Sequence, residues 1–159
     1  SSWAIDVLAE NNYVYDSSII PAKSNMYGSP NAEHSPYRIS SKCIEKNDSS
    51  GKLIEFPLLT TKFLGKKIPA AGGFYLRSLP TKIIKNAIKN YEKKCIPATF
   101  YIHSWELTPE FMPRLDLPLK DKFVTYHNLG KAYSRMSELL KHFEFTSFSR
   151  YIEEKKMIR

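Results

Sequence analysis

The chain has little cysteine, no paired metal-ligand motif and no long apolar run, and each absence narrows what it can be. Only two cysteines occur in 159 residues, Cys43 and Cys95. They lie far apart and form no CxxC pair, so neither a disulfide framework nor a zinc knuckle follows. Two unpaired thiols suit a reducing compartment, and the expected location is the cytoplasm. No stretch approaches the roughly 20 apolar residues that span a bilayer, so no membrane span is expected. HxxxH and HExxH spacings are missing, and His34, His127 and His142 have no second ligand at a metal-compatible distance in sequence. These residues therefore offer no metal site of their own. Internal repeats and low-complexity tracts are also lacking. A basic-then-apolar leader is absent too, and Ser1-Ser2-Trp3 reads as the start of a helix, so further chain is expected before it.

Acidic residues are in the minority, 16 against 24 Lys and Arg, giving a net charge of +8 and a pI near 9.4. Such a balance favours polyanionic partners. The lysines are scattered, however, and those between Lys82 and Lys94 fall on the face opposite the isoleucines of the same segment. A solvated helix face accounts for them, and no nucleic-acid surface is expected.

What is present describes a globular chain. Apolar residues make up 42% and aromatics 13%, enough for a real core in one domain or most of one. Ser2 can cap a helix running to about Asn11, and Tyr13–Ile19 reads as a short strand ending in turn residues. Residues 21–50 are rich in Pro, Ser, Asn and Gly and read as one long irregular segment. Lys52–Leu64 is strand-like, with Pro57 arguing against a fully paired central strand. Pro80 and Thr81 open an amphipathic helix to about Lys94, with Ile83, Ile84, Ala87, Ile88 and Tyr91 inward. Ala98–Trp105 reads as a buried strand. A second helix covers about 127–142, with Leu129, Ala132, Tyr133, Met136, Leu140 and Phe143 inward. A last strand at 143–148 and a polar tail at 151–159 complete the chain. Strands alternating with helices argue for an α/β fold with a parallel sheet over residues 1–150. Roughly four strands would form an open layer with an exposed edge.

Functional side chains in such folds gather where strands end. His103 ends the strand beginning at Ala98, flanked by Trp105 and Glu106. It can serve as an acid or base near neutrality, or be a structural histidine bonded to backbone. Asp16 is a catalytic carboxylate or, more in keeping with Tyr-Asp-Ser-Ser, an Asx-type turn. Arg77 can grip a carboxylate or sugar hydroxyls, or form a surface ion pair. Gly72 and Gly73 permit a tight turn or close approach to a ligand.

Six segments then occur in order: WAIDVLAENNYVYDSSIIP, MYGSPNAEHSPYRI, EFPLLTTKFLGKKIPAAGGFYLRSLP, FYIHSWEL, PRLDLP and NLGKAYSRMSELLKHFEFTSF. Together, over about residues 3–148, they resemble the C-terminal half of bacterial NodB-type polysaccharide deacetylases, in the exosortase and exopolysaccharide-associated subgroup. The resemblance implies the C-terminal half of a distorted (β/α) barrel. It implies metal-dependent hydrolysis of N-acetyl groups on a hexosamine polymer, with a divalent metal, zinc by expectation, activating water. The family's Leu-His-Pro motif falls on Ile102, His103 and Ser104. His103 is then the general acid, and Ile102 walls the pocket for the acetyl methyl. Ile for Leu keeps the apolar wall, whereas Ser for Pro relaxes the turn that aims the histidine. Gly72, Gly73, Tyr75, Arg77 and Trp105 are placed along the substrate groove. The base Asp, the metal-binding Asp and the His pair of the family belong to an N-terminal half that this chain lacks. The implied partners are a polysaccharide substrate and either that missing half or a second copy. The alternative is a non-catalytic glycan-binding or scaffolding domain on the same fold.

Overall fold

The computed structural model describes residues 2–23 and 28–157. The fold is mixed α/β with small sheets. Helix α1 (Trp3–Glu10) buries Ile5 against Tyr37, Ile39 and Leu53, while Trp3 and Val7 on its other side stay exposed. Ser2 precedes α1 but makes no side-chain cap, because its own backbone is already helical at φ −58° and ψ −32°.

A three-stranded sheet runs in the order β1, β3, β2. The central strand β3 (Leu53–Glu55) is buried along its whole length. It pairs in parallel with β1 (Tyr15–Asp16), setting Asp16 opposite Glu55, and antiparallel with β2 (Tyr37–Ile39). The expected all-parallel layer is thus corrected, and β2 arises inside the segment expected to be irregular. Three residues are too few for a two-residue period to be read from sequence, yet Tyr37 and Ile39 are buried around a half-buried Arg38.

The expected strand from Lys52 to Leu64 is two strands. Pro57 carries no N–H for a ladder, and pairing stops at Glu55. Strand β4 (Thr60–Phe63) then forms a hairpin with β5 (Lys66–Pro69). Both turn residues have positive φ, 48° at Leu64 and 76° at Gly65, as a tight hairpin requires.

Helix α2 (Gly73–Ser78) leads into α3 (Thr81–Glu92), whose buried Ile84, Ala87, Ile88 and Tyr91 match the sequence period. Residues 98–103 are not a ladder strand: the one bridge is Leu58 with Thr99, and α4 (Ser104–Leu107) follows at once. Helix α5 (Leu119–Tyr126) has no buried residue and so no apolar stripe to announce it. Helix α6 (Ala132–His142) buries Ala132 and Leu139 but leaves Tyr133 and Leu140 exposed, which corrects the expected inward set. Of two adjacent leucines, periodicity alone does not choose the inner one.

The expected last strand and polar tail are instead a loop and α7 (Phe148–Glu154), capped by the Ser147 hydroxyl, which accepts from the Arg150 N–H. The helix crosses the boundary expected at residue 150. Ile152 is buried with Ile54 and Phe56, and Phe148 stacks on Phe56 at 4.3 Å between centroids. Burial of side chains of this size contributes about 1.5–3 kcal/mol each, enough to dock a seven-residue helix. The largest core joins Ile20, Leu58, Leu59, Leu76, the inner face of α3 and Leu139. No helix of the described residues is long and apolar enough to cross a membrane. Cys43 and Cys95 are both free thiols.

Candidate functional site

Residues 98–103 run extended beside Leu58, so successive side chains leave on opposite sides. Phe100 and Ile102 turn inward onto the main core. Tyr101 and His103 turn outward into a cleft of about 510 Å³ between the start of α2, the start of α4 and α5. The cleft is lined by Gly72, Gly73, Tyr75, Arg77, His103 and Trp105, so six of the seven expected site residues come together. Ile102 is the exception. It lines a separate cleft of about 590 Å³ with Phe100, Phe143 and Phe148. Its expected place in the pocket beside His103 is therefore corrected, because one residue of extended chain reverses the facing.

His103 is the last residue before α4, with φ −85° and ψ 147°, and its side chain is 44% exposed. Its Nε2 lies 2.8 Å from the Tyr101 hydroxyl. Its ring stacks on Trp105 at 5.0 Å and 23°. The backbone N–H of His103 donates to Glu106 Oε2 at 3.1 Å, and the same oxygen is 3.4 Å from Nδ1. Glu106 thereby constrains the turn that leads from His103 into α4.

Glu106 is buried, and its other oxygen meets Arg77. Oε1 accepts from Nε at 3.1 Å and pairs with Nη2 at 3.0 Å, with both side chains 2% exposed. Arg77 also donates to the carbonyl oxygens of Gly73, Val124, Thr125 and His127. The last three end α5, where backbone carbonyls lack helical partners and a cation is favoured. Arg77 thus grips a carboxylate, as its chemistry suggested, but a buried one of the protein's own. Every nitrogen of its guanidinium is turned to protein.

The two glycines act differently. Gly72 has φ +96°, a conformation that costs other residues strain. Gly73 seats the Glu106 carboxyl group: a Cβ there would fall inside it. The close approach at Gly73 is thus to the protein's own Glu106 and not to a ligand, while a Cβ at Gly72 would meet nothing nearer than 3.8 Å. Lys23 and Lys120 stand at the cleft rim.

Asp16 is a paired residue of β1, and its Oδ1 accepts from the Ser18 hydroxyl at 3.0 Å. The Ser18 backbone N–H donates to Glu55 Oε2 at 3.5 Å and not to Asp16 as an Asx turn requires. Glu55 is fully buried and accepts from the Ile19 N–H at 2.9 Å. Burial, with the Asp16 carboxylate beside it, pushes the Glu55 carboxyl up to about 7 from an ordinary 4.5. A raised folded-state value means that its contribution to stability is complete below pH 4.5 and is lost as pH rises through 7. Glu55→Gln, which keeps the acceptor without the charge, is expected to match the wild type at pH 4.5 and exceed it at pH 8. At about 1.4 kcal/mol per pKa unit the gap is on the order of 2–3 kcal/mol. Urea midpoints at the two pH values measure it, and parallel pH profiles would refute it.

The other histidines lie outside this cleft. His34 Nδ1 meets the Tyr91 hydroxyl at 2.9 Å, and burial with nearby Lys67 holds its imidazole below the usual value. The His127 ring meets Asn128 at 2.8 Å, and His142 donates to the Glu138 carbonyl at 2.8 Å. Sequence reading passed over Glu106 and Tyr101 as site residues. The signals were there: Glu three residues after His is capping-box spacing, and Tyr two residues before it shares its face of an extended segment.

These features define a small mixed α/β domain whose open aromatic cleft presents a histidine backed by a buried carboxylate. Residues 17–153 match the family described as a domain of unknown function, DUF3473, and the chain belongs to that family. No curated protein and no solved structure matches it.

Proposed function

We propose that the chain is the C-terminal half of a NodB-type distorted (β/α) barrel, and that it is part of a polysaccharide deacetylase acting on N-acetylhexosamine glycans. The observation that carries this reading is His103 in its cleft. The ring is held on one side by Tyr101 and on the other by Glu106, is half exposed, and stands against Trp105. Trp105, Tyr75 and Tyr101 give the cleft flat apolar walls with a few polar groups, the usual make-up of a small-ligand site. The six ordered segments of the sequence support the same reading.

In this reading His103 is the general acid. It donates the Nε2 proton to the nitrogen of the departing amine as the amide C–N bond breaks. Arg77 acts through Glu106 and does not itself touch substrate. Among the described residues no three His, Cys, Asp or Glu side chains gather to hold a metal ion. The divalent metal, zinc in this reading, is assigned to residues of the parent enzyme outside this chain, and no step here runs through it. Large apolar side chains left exposed, among them Trp3, Phe111 and Leu119, support contact with the rest of a barrel or with a second copy.

Deacetylation of chito-oligosaccharides by the intact parent, with zinc or cobalt added, tests the assignment. His103→Ala is expected to lower kcat by about 10²–10⁴-fold, the share a positioned acid supplies, with KM little changed. An unchanged kcat would remove His103 from the mechanism. Glycan binding that survives the substitution, with no turnover by any form, would favour the non-catalytic binding domain.

A further inference from the structure

We infer that Glu106 is the positioning residue for His103: its carboxylate holds the imidazole as the Nδ1–H tautomer and leaves Nε2 facing Tyr101 and the cleft. The catalytic value of this arrangement rests on the deacetylase reading, whereas the arrangement itself does not.

The two ring nitrogens meet different chemistry. A carboxylate only accepts, and Glu106 Oε2 lies 3.4 Å from Nδ1. The Glu106 backbone N–H at the start of α4 is already given to the His103 carbonyl at 3.1 Å, and a lone pair on Nδ1 would face a negative oxygen, so the proton belongs there. The Tyr101 hydroxyl, 2.8 Å from Nε2, can donate or accept and so follows whatever Glu106 dictates. In the neutral ring the hydroxyl donates to Nε2. When the ring gains its second proton, that proton arrives at Nε2, on the cleft side, and the pair with Glu106 becomes charge-assisted. A separation of 3.4 Å is long for a hydrogen bond. Charge-assisted bonds contract, and catalytic contacts commonly tighten only when substrate is bound.

Glu106 is also poorly explained as a helix cap alone. A cap contributes about 0.5–2 kcal/mol and is available to an exposed side chain. Here the capping carboxylate is buried, which costs several kcal/mol before pairing. Its burial engages an arginine and a side-chain-free glycine on α2, far away in sequence. That apparatus fixes both oxygens: Oε1 cannot leave Arg77, and Oε2 cannot leave the His103 backbone. A cap needs one oxygen placed; orienting an imidazole needs the whole group placed.

The tautomer can be read in the ¹⁵N-labelled chain without substrate, from long-range ¹H–¹⁵N correlations of the His103 ring above its titration. The wild type is expected to carry the proton on Nδ1. In Glu106→Gln the amide oxygen stays with Arg77 and the NH2 turns to the ring, so the proton is expected to move to Nε2. If that variant unfolds, Arg77→Met combined with Glu106→Met removes both buried charges together and is expected to lose the Nδ1–H preference likewise. An Nε2–H wild type would overturn the inference. So would an Nδ1–H ring that persists after the carboxylate is gone. A parent enzyme without deacetylase activity would instead sink the functional reading and leave the tautomer result standing.

Discussion

Arg77→Ala is expected to destabilise the chain by about 3–5 kcal/mol, the cost of stranding one partner of a buried ion pair. The Glu106 carboxylate would stay 2% exposed with its cation gone. Three carbonyls at the end of α5 would lose their donor as well. Such a loss is a large fraction of the roughly 5–15 kcal/mol by which a domain is stable. Lysine is expected to recover little, because one ammonium cannot span Glu106, Gly73 and the α5 terminus as the planar guanidinium does. The double replacement Arg77→Met with Glu106→Met is expected to recover most of the loss, since it leaves no unpaired charge. Urea denaturation measures all three. A cost below about 1 kcal/mol for Arg77→Ala would show that water reaches the pair, as at ordinary surface ion pairs.

Gly73→Ala is the second large effect, and its cause is space. The added Cβ would occupy the position of the Glu106 carboxyl group, the far end of a long side chain that would have to give up its buried seat. Glu106 would have to leave Arg77 or α2 would have to shift, so a loss on the order of 3 kcal/mol is expected. At Gly72 the contrast is informative. A Cβ there meets nothing closer than 3.8 Å, and the expected cost is the strain of φ +96°, on the order of 1–3 kcal/mol. A double-mutant cycle separates the two mechanisms. In a Glu106→Ala background Gly73→Ala is expected to be nearly neutral, whereas Gly72→Ala keeps its full cost. Additivity between Gly73→Ala and Glu106→Ala would refute the account of the seat.

These two substitutions and the tautomer of His103 bear on one assembly. Arg77, Glu106 and His103 form a line from the C-terminal end of α5 to the cleft, and Gly73 makes room for its middle member. A change at either end should therefore be felt at the ring before it is felt in the distant sheet, which shares none of these contacts.

Sequence by itself determined what depends on local period and covalent limits. The apolar spacing of Ile84, Ala87, Ile88 and Tyr91 made α3 legible, because a helix of 12 residues shows its stripe several times over. Pro57 announced a break in strand pairing, because it has no N–H to donate. Most of the cleft was also legible, since His103, Trp105 and the residues of the Gly-Gly turn stood out by type and position. Tertiary structure alone decided the rest. Strands of two or three residues carry no readable period, so β1 and β2 exist because β3 is there to pair with them. Helix α7 reads as a polar tail until Phe56 offers a surface for Phe148 and Ile152. Glu106 and Arg77, 29 residues apart, look like two surface charges until α2 and α4 meet. A buried ion pair is a property of two elements packed together, and no local pattern announces it.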